Sequence, residues 1–118
     1  MTDFNSDLRQ FTGSACLYKH PLYKVPQYTE GVRYFLQNAG NGAYWLLDLI
    51  ATEPAIGKLA REFASIKLHV KGSSARLWVN DGHLGKDVYE RNIEYTDCPE
   101  GTYSFYWTDN VLMLASEY

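Results

Sequence analysis

The period of apolar positions changes once along the chain, from helical to alternating, and that change organises everything else. Between residues 29 and 63 the period is helical. Val32, Phe35, Leu36 and Ala39 recur at i, i+3, i+4 and i+7 behind Thr29, a good N-cap, which predicts a helix over 30–39. Gly40 and Gly42 supply the stop. A second helix is expected over 43–52, AYWLLDLIAT, apolar around most of its circumference with Asp48 as its one charge. Thr52 is the expected cap of a third piece that begins at Pro54 and carries Ile56, Leu59, Ala60 and Phe63 as its stripe.

From residue 65 the period becomes two. In 65–71 Ile66, Leu68 and Val70 alternate with Lys67, His69 and Lys71. After the Gly72-Ser73-Ser74 turn, 75–80 returns with Leu77 and Val79 opposite Arg76 and Trp78. A third strand is expected over 88–96, with Tyr89, Ile93 and Tyr95 on one face and Glu90, Asn92 and Glu94 on the other. Strands at 102–107 and 110–115 close the chain around a turn at Thr108-Asp109. Upstream, 5–12 reads as a short helix, 14–19 as a short edge strand, and HPLYKVPQY as a loop held extended by Pro21 and Pro26. Helices followed by a meander give an α+β class. The economical arrangement is two to three helices on one face of a four- to five-stranded antiparallel sheet, all in a single domain over 1–118.

Several blocks of this chain resemble a small uncharacterised family typified by cyanobacterial and phage-associated proteins. They are FTG followed after six residues by His20, YTEGVRYF at 28–35, AYWLLDLIA at 43–51, the IKLHV strand, and IEYTDCP with the closing VLMLASEY. The family's own blocks read FTG…H, YTDGV, GAYWLLD and TDFP…LLLPSE. This chain departs at Cys98, where the family has Phe, and at Ala115, where the ending is Pro-Ser-Glu. The resemblance spans about Phe11 to Tyr118 and brings no activity with it. Phage association, where it holds, would favour a binding role directed at a host.

Composition narrows the function classes. Of the chain's aromatics, ten are Tyr, a residue with an apolar body and a polar tip that suits half-buried positions and contact surfaces. No run approaches a membrane span, and the polar N-terminus lacks the pattern of a secretory signal, so a cytoplasmic protein with Cys16 and Cys98 reduced is expected. Net charge is −3, unevenly spread. Residues 1–86 carry ten Lys or Arg against seven Asp or Glu, whereas 87–118 carry Arg91 alone against seven acids. Such asymmetry either pairs acids with basic strand neighbours or leaves an acidic face for a basic partner.

A search for chemistry returns little. His20, His69 and His83 occur in no ligand spacing, so neither a metal nor another cofactor is implied. Cys16 and His20 stand about 13 Å apart along a strand, too far for a nucleophile and its base. Glu90 and Glu94 are about as far apart, beyond the separation that glycosidase carboxylates need. Asp48 on its apolar helix is expected to be buried and partnered, as a structural buttress. Lys67, His69, Lys71, Arg76 and Trp78 could form a basic aromatic patch, but the chain's acidity argues against direct nucleic-acid binding. No catalytic residue is assigned. The expectation is a non-enzymatic domain that binds a protein. Its contacts would come from the acidic C-terminal third (Glu90, Glu94, Asp97, Glu100, Tyr106 and Asp109) and the Tyr-rich loop (Tyr18, His20, Tyr23 and Lys24). Its sharpest form is an anti-CRISPR-like inhibitor of a host defence complex. Two alternatives stand beside it. One is a small-molecule or catalytic pocket between helices and sheet lined by Tyr44, Trp45, Tyr103 and Trp107. The other is a homodimer formed through an exposed edge strand.

Overall fold

The structure, a computed structural model, describes residues 17–19, 27–40, 42–61, 63–81 and 89–117. The helix expected over 5–12 and the beginning of the strand expected over 14–19 lie outside these residues. Strands β1 (Leu17–Lys19) and β2 (Gln27–Thr29) lead into helix α1 (Glu30–Asn38), followed by α2 (Tyr44–Thr52) and α3 (Pro54–Ala60). The remaining strands are β3 (Ala64–Lys71), β4 (Ser74–Asn80), β5 (Tyr89–Ile93), β6 (Gly101–Thr108) and β7 (Val111–Leu114), and a 3-10 turn covers Ala115–Glu117.

The class is α+β, but the sheet is larger than a four- to five-stranded antiparallel meander. Among the described residues it has seven strands in the order β1-β2-β7-β6-β3-β4-β5. It is also mixed, because β2 runs parallel to β7 with Gln27 opposite Val111 and Tyr28 opposite Leu112. The stretch that the two prolines were expected to hold as a loop therefore ends in a strand.

Alternation in each strand builds one apolar face. Ile66 pairs with Phe105 and Val79, Leu68 with Tyr103 and Leu77, and Trp107 with Ala64 and Leu112. All of these are buried. Helix α1 lays Val32, Phe35 and Leu36 on that face, and α2 adds Leu46, Leu47 and Ile50. Phe35 meets Tyr103 and Phe105 edge-on, with ring centroids 5.0 and 5.1 Å away. The final hairpin turns at Asp109-Asn110, one residue later than expected. Both residues have positive φ, 51° and 64°, the geometry a two-residue turn needs to match strand twist.

Three local expectations change. Asp48 is exposed, not buried. Glu53, not Thr52, caps α3 by accepting from Ala55 N, while the Thr52 hydroxyl donates back to the Asp48 carbonyl. Phe63 lies beyond α3 and packs its ring on Tyr106, 5.1 Å away, on the sheet face opposite the core.

The chain's end is tied to the start of α1. Thr29 Oγ1 accepts from Val32 N and donates to Glu117 Oε1 at 2.6 Å, and that oxygen also accepts from Leu114 N. Gly31 leaves room for this contact, since a Cβ there would fall 2.5 Å from Glu117 Oε1 and the carboxylate would have to move. The carboxylate thus sits at a helix N-terminus, where the backbone dipole favours negative charge.

Two buried protons give the fold an alkaline limit. Burial, and after it the Tyr44 hydroxyl, raises the Tyr28 hydroxyl above its usual 10.0, and burial raises the Cys98 thiol above 9.0. Both stay protonated in the fold at pH values where the unfolded chain releases them. Fewer protons on the unfolded state means that stability falls as pH rises. Unfolding free energy from urea titrations is expected to be indifferent to these two groups below about pH 8 and to decline through the thiol and phenol ranges. A midpoint unchanged up to about pH 10.5 would contradict the burial of both groups.

Candidate functional site

Most residues shared with the resemblance have structural work. Thr29 and Gly31 of YTEGV meet Glu117 of the closing ASEY. Gly40 lies on Asp97 of TDCP. Thr96 N donates to Ser73 O, Thr96 Oγ1 accepts from Cys98 N, and the Tyr103 hydroxyl donates to the Pro99 carbonyl. These blocks hold loops against helices, and what remains for function is the surface.

The expected contact residues do not gather into one patch. The pairing of Val70 with Gly101 and of Ala64 with Trp107 fixes the two ends of the sheet. Glu94, Asp97 and Glu100 lie toward the end that carries the β3–β4 turn, and Glu100 Oε1 accepts from Gly72 N in that turn at 2.6 Å. Asp109 sits in the β6–β7 turn at the opposite end. Glu90 is on β5, bonded to Arg76 at 2.8 Å. Both partners of that ion pair are about half exposed, which keeps its contribution small. Tyr106 is half-buried under Phe63. Tyr18 is half-buried, stacked on Tyr28 at 5.9 Å and covered by the Arg33 guanidinium, which donates to its hydroxyl. His20, Tyr23 and Lys24 lie outside the described residues.

Lys67, His69, Arg76 and Trp78 do share the open face of the sheet, with Lys67 opposite Trp78 and His69 opposite Arg76. Arg76 stacks over Trp78 at 5.3 Å while holding Glu90. The imidazole of His69 is hydrogen-bonded to the Thr102 hydroxyl at 2.8 Å. That face is therefore partly self-satisfied.

The pocket expected between helices and sheet takes a different form. Tyr103 and Trp107 are buried core, Tyr44 is exposed, and Trp45 borders an opening. This opening is a cleft of about 490 Å³ between α2 and β5, lined by Trp45 and Leu49 on one side and by Arg91, Asn92, Ile93, Glu94 and Tyr95 on the other. Tyr95 was expected on the inward row of β5. It lies past the strand's end and is 76% exposed, the most exposed large apolar residue among those described. A second hollow of about 280 Å³ lies on the other side of the same strand end, bordered by His69, Lys71, Ser74, Arg76, Asn92 and Glu94.

β5 ends the sheet order, so its outer backbone edge is unpaired among the described residues. Its inward row is Tyr89, Arg91 and Ile93, opposite Val79, Leu77 and Ala75. Arg91 thus puts a guanidinium on the apolar side of the sheet at its rim, exposed and, among the described residues, without a hydrogen-bond or ion-pair partner. An arginine interrupting an apolar row is the signal that marks this strand as an edge.

Among the described residues, no three His, Cys, Asp or Glu side chains converge where they could hold a metal. No described helix is long and apolar enough to cross a membrane. No curated protein and no solved structure shows significant similarity to the chain. A family model described as a family of unknown function does match, over residues 2–118, and the chain belongs to that family, DUF6876.

Proposed function

We propose that this is a non-enzymatic, cytoplasmic protein-binding domain whose contact surface is the rim of the sheet at β5. One observation carries the reading: a strand edge unpaired among the described residues lies beside a cleft that combines half-buried Trp45, exposed Tyr95 and the exposed Arg91 guanidinium. Aromatics and arginine are the side chains that dominate binding energy at protein interfaces, and an open strand edge offers backbone hydrogen bonds besides. The narrower reading, a phage or mobile-element protein whose acids occupy a basic groove of a host defence complex, draws on Glu94, Asp97 and Glu100. It cannot use Asp109 on the same surface, and Glu90 is already paired.

Site-specific photo-crosslinking tests the reading. A photoreactive phenylalanine placed at Tyr95 is expected to trap a discrete protein in cells of the source organism, and the same group placed at exposed Lys58 on α3 is not. Identical crosslinking patterns from the two positions would count against it.

A further inference from the structure

We infer that β5 takes an extended, acidic segment of a partner protein as an eighth strand. This inference rests on the protein-binding reading above and specifies its chemistry. A strand added to an edge sends alternate side chains to opposite faces of the sheet. At β5 both faces are hollowed beside the edge, by the cleft toward α2 and by the shallower hollow on the open face. Side chains directed toward α2 would meet Arg91 and, two residues away, the apolar floor of Trp45, Leu49 and Ile93. Those directed the other way would lie beside Asn92, at the rim of the open-face hollow.

The charges select the occupant. Lys71, Arg76 and Arg91 border the two hollows against Glu94 as the one acid, and of these cations Arg76 is already engaged by Glu90. A free guanidinium beside a half-buried tryptophan is matched by a carboxylate, which it can hold through two parallel hydrogen bonds. A segment with an acidic residue opposite Arg91 and an apolar one opposite Ile93 satisfies both features of the α2 side.

A second copy of this chain fits poorly. Two β5 strands paired antiparallel about a two-fold axis must place residues of like parity opposite one another. Centring on Glu90 sets Glu90 against Glu90. Centring on Arg91 sets Arg91 against Arg91. Centring on Asn92 sets Glu90 against Glu94. These three are the registers that overlap the two strands by three residues or more, and each opposes like charges, which destabilises directly facing pairs. The edge that repels itself is open to an acidic strand.

The test is a selection of random ten-residue displayed peptides on the full chain. Individual binders are then measured by fluorescence anisotropy and mapped by amide chemical shifts. Binders are expected to be rich in Asp and Glu, free of central proline, and to shift the amides of residues 89–95. Arg91→Glu is expected to weaken them roughly 10- to 100-fold, and Arg91→Lys by less. Arg91 is exposed, so both variants should fold, and circular dichroism checks this. Basic or uncharged binders at β5 would overturn the inference, as would binders that map to β1 or the open face, although the latter would leave the protein-binding reading standing. A dimer in sedimentation that Arg91→Glu alters would give the edge to a second copy and overturn it too. No binder at all would end both readings.

Discussion

Replacing Phe35 with alanine is expected to cost about 3–5 kcal/mol, a large share of the 5–15 kcal/mol that typically holds a domain together. Phe35 is fully buried at the centre of the contact between α1 and the sheet. Part of the cost is lost burial and part is the cavity, because Tyr103 and Phe105 are fixed by their own strand pairings with Leu68 and Ile66 and cannot collapse into the space. The two edge-on ring contacts add roughly 0.5–1.5 kcal/mol each beyond area. Chemical denaturation should show the loss as a lower midpoint at nearly unchanged slope, and melting should drop by roughly 10–20 °C. Tyr95→Ala, at an exposed site, is the control and should stay within about 0.5 kcal/mol of the parent. A loss under about 1 kcal/mol for Phe35→Ala would mean that α1 does not seat on β6 as described.

Phe35 also shows why much of this fold could be read from residue order. Its stripe is local, as is the alternation of β3 and β4, and each pattern needs only neighbouring residues to state which side is buried. Strand β2 could not be read that way. The three residues after Pro26, ending at the cap Thr29, hold no alternation worth the name, and their strand character comes from pairing with β1 on one side and, on the other, with β7, distant in sequence. The same partner turns the sheet from antiparallel to mixed. Asp48 misled for a related reason. An apolar sequence around it suggests burial, but Leu46, Leu47 and Ile50 are the residues of α2 that bury, and Asp48 falls on the helix's exposed side.

The candidate site divides along the same line. The surplus of acids after residue 87 is visible in the sequence, yet register distributes those acids to two ends of the sheet and gives Glu90 to Arg76. Arg91 was the informative residue. Its basic charge falls in the row otherwise made by Tyr89 and Ile93, and only the strand order reveals that this row faces a cleft and not a closed core. Sequence charge pointed to a basic partner, whereas the acidic segment inferred above rests on Arg91 at the edge strand.

Gly40→Ala is expected to be nearly as damaging as the loss of Phe35, through a different mechanism. Gly40 follows α1 with φ of +62°, a left-handed conformation that a side chain adopts at a cost of about 1–3 kcal/mol when bulky and less for alanine. Space decides the matter. A Cβ would lie 2.4 Å from both the carbonyl oxygen and Oδ1 of Asp97. The carboxylate can swing away, but the carbonyl is backbone in the segment anchored by Thr96 N on Ser73 O and by the Tyr103 hydroxyl on Pro99 O. Relief therefore requires the end of α1 and the loop before β6 to separate, and overpacking of that kind adds about 1–3 kcal/mol. The combined loss should be about 2–4 kcal/mol by urea titration. Asp97→Ala in the Gly40→Ala background separates the two obstacles. It removes the carboxylate without adding the backbone freedom of glycine, so if the carbonyl is what blocks the methyl group, most of the loss must remain in the double variant. Full recovery there would place the obstacle on the Asp97 side chain, and the anchored backbone would not be what makes glycine necessary at this turn.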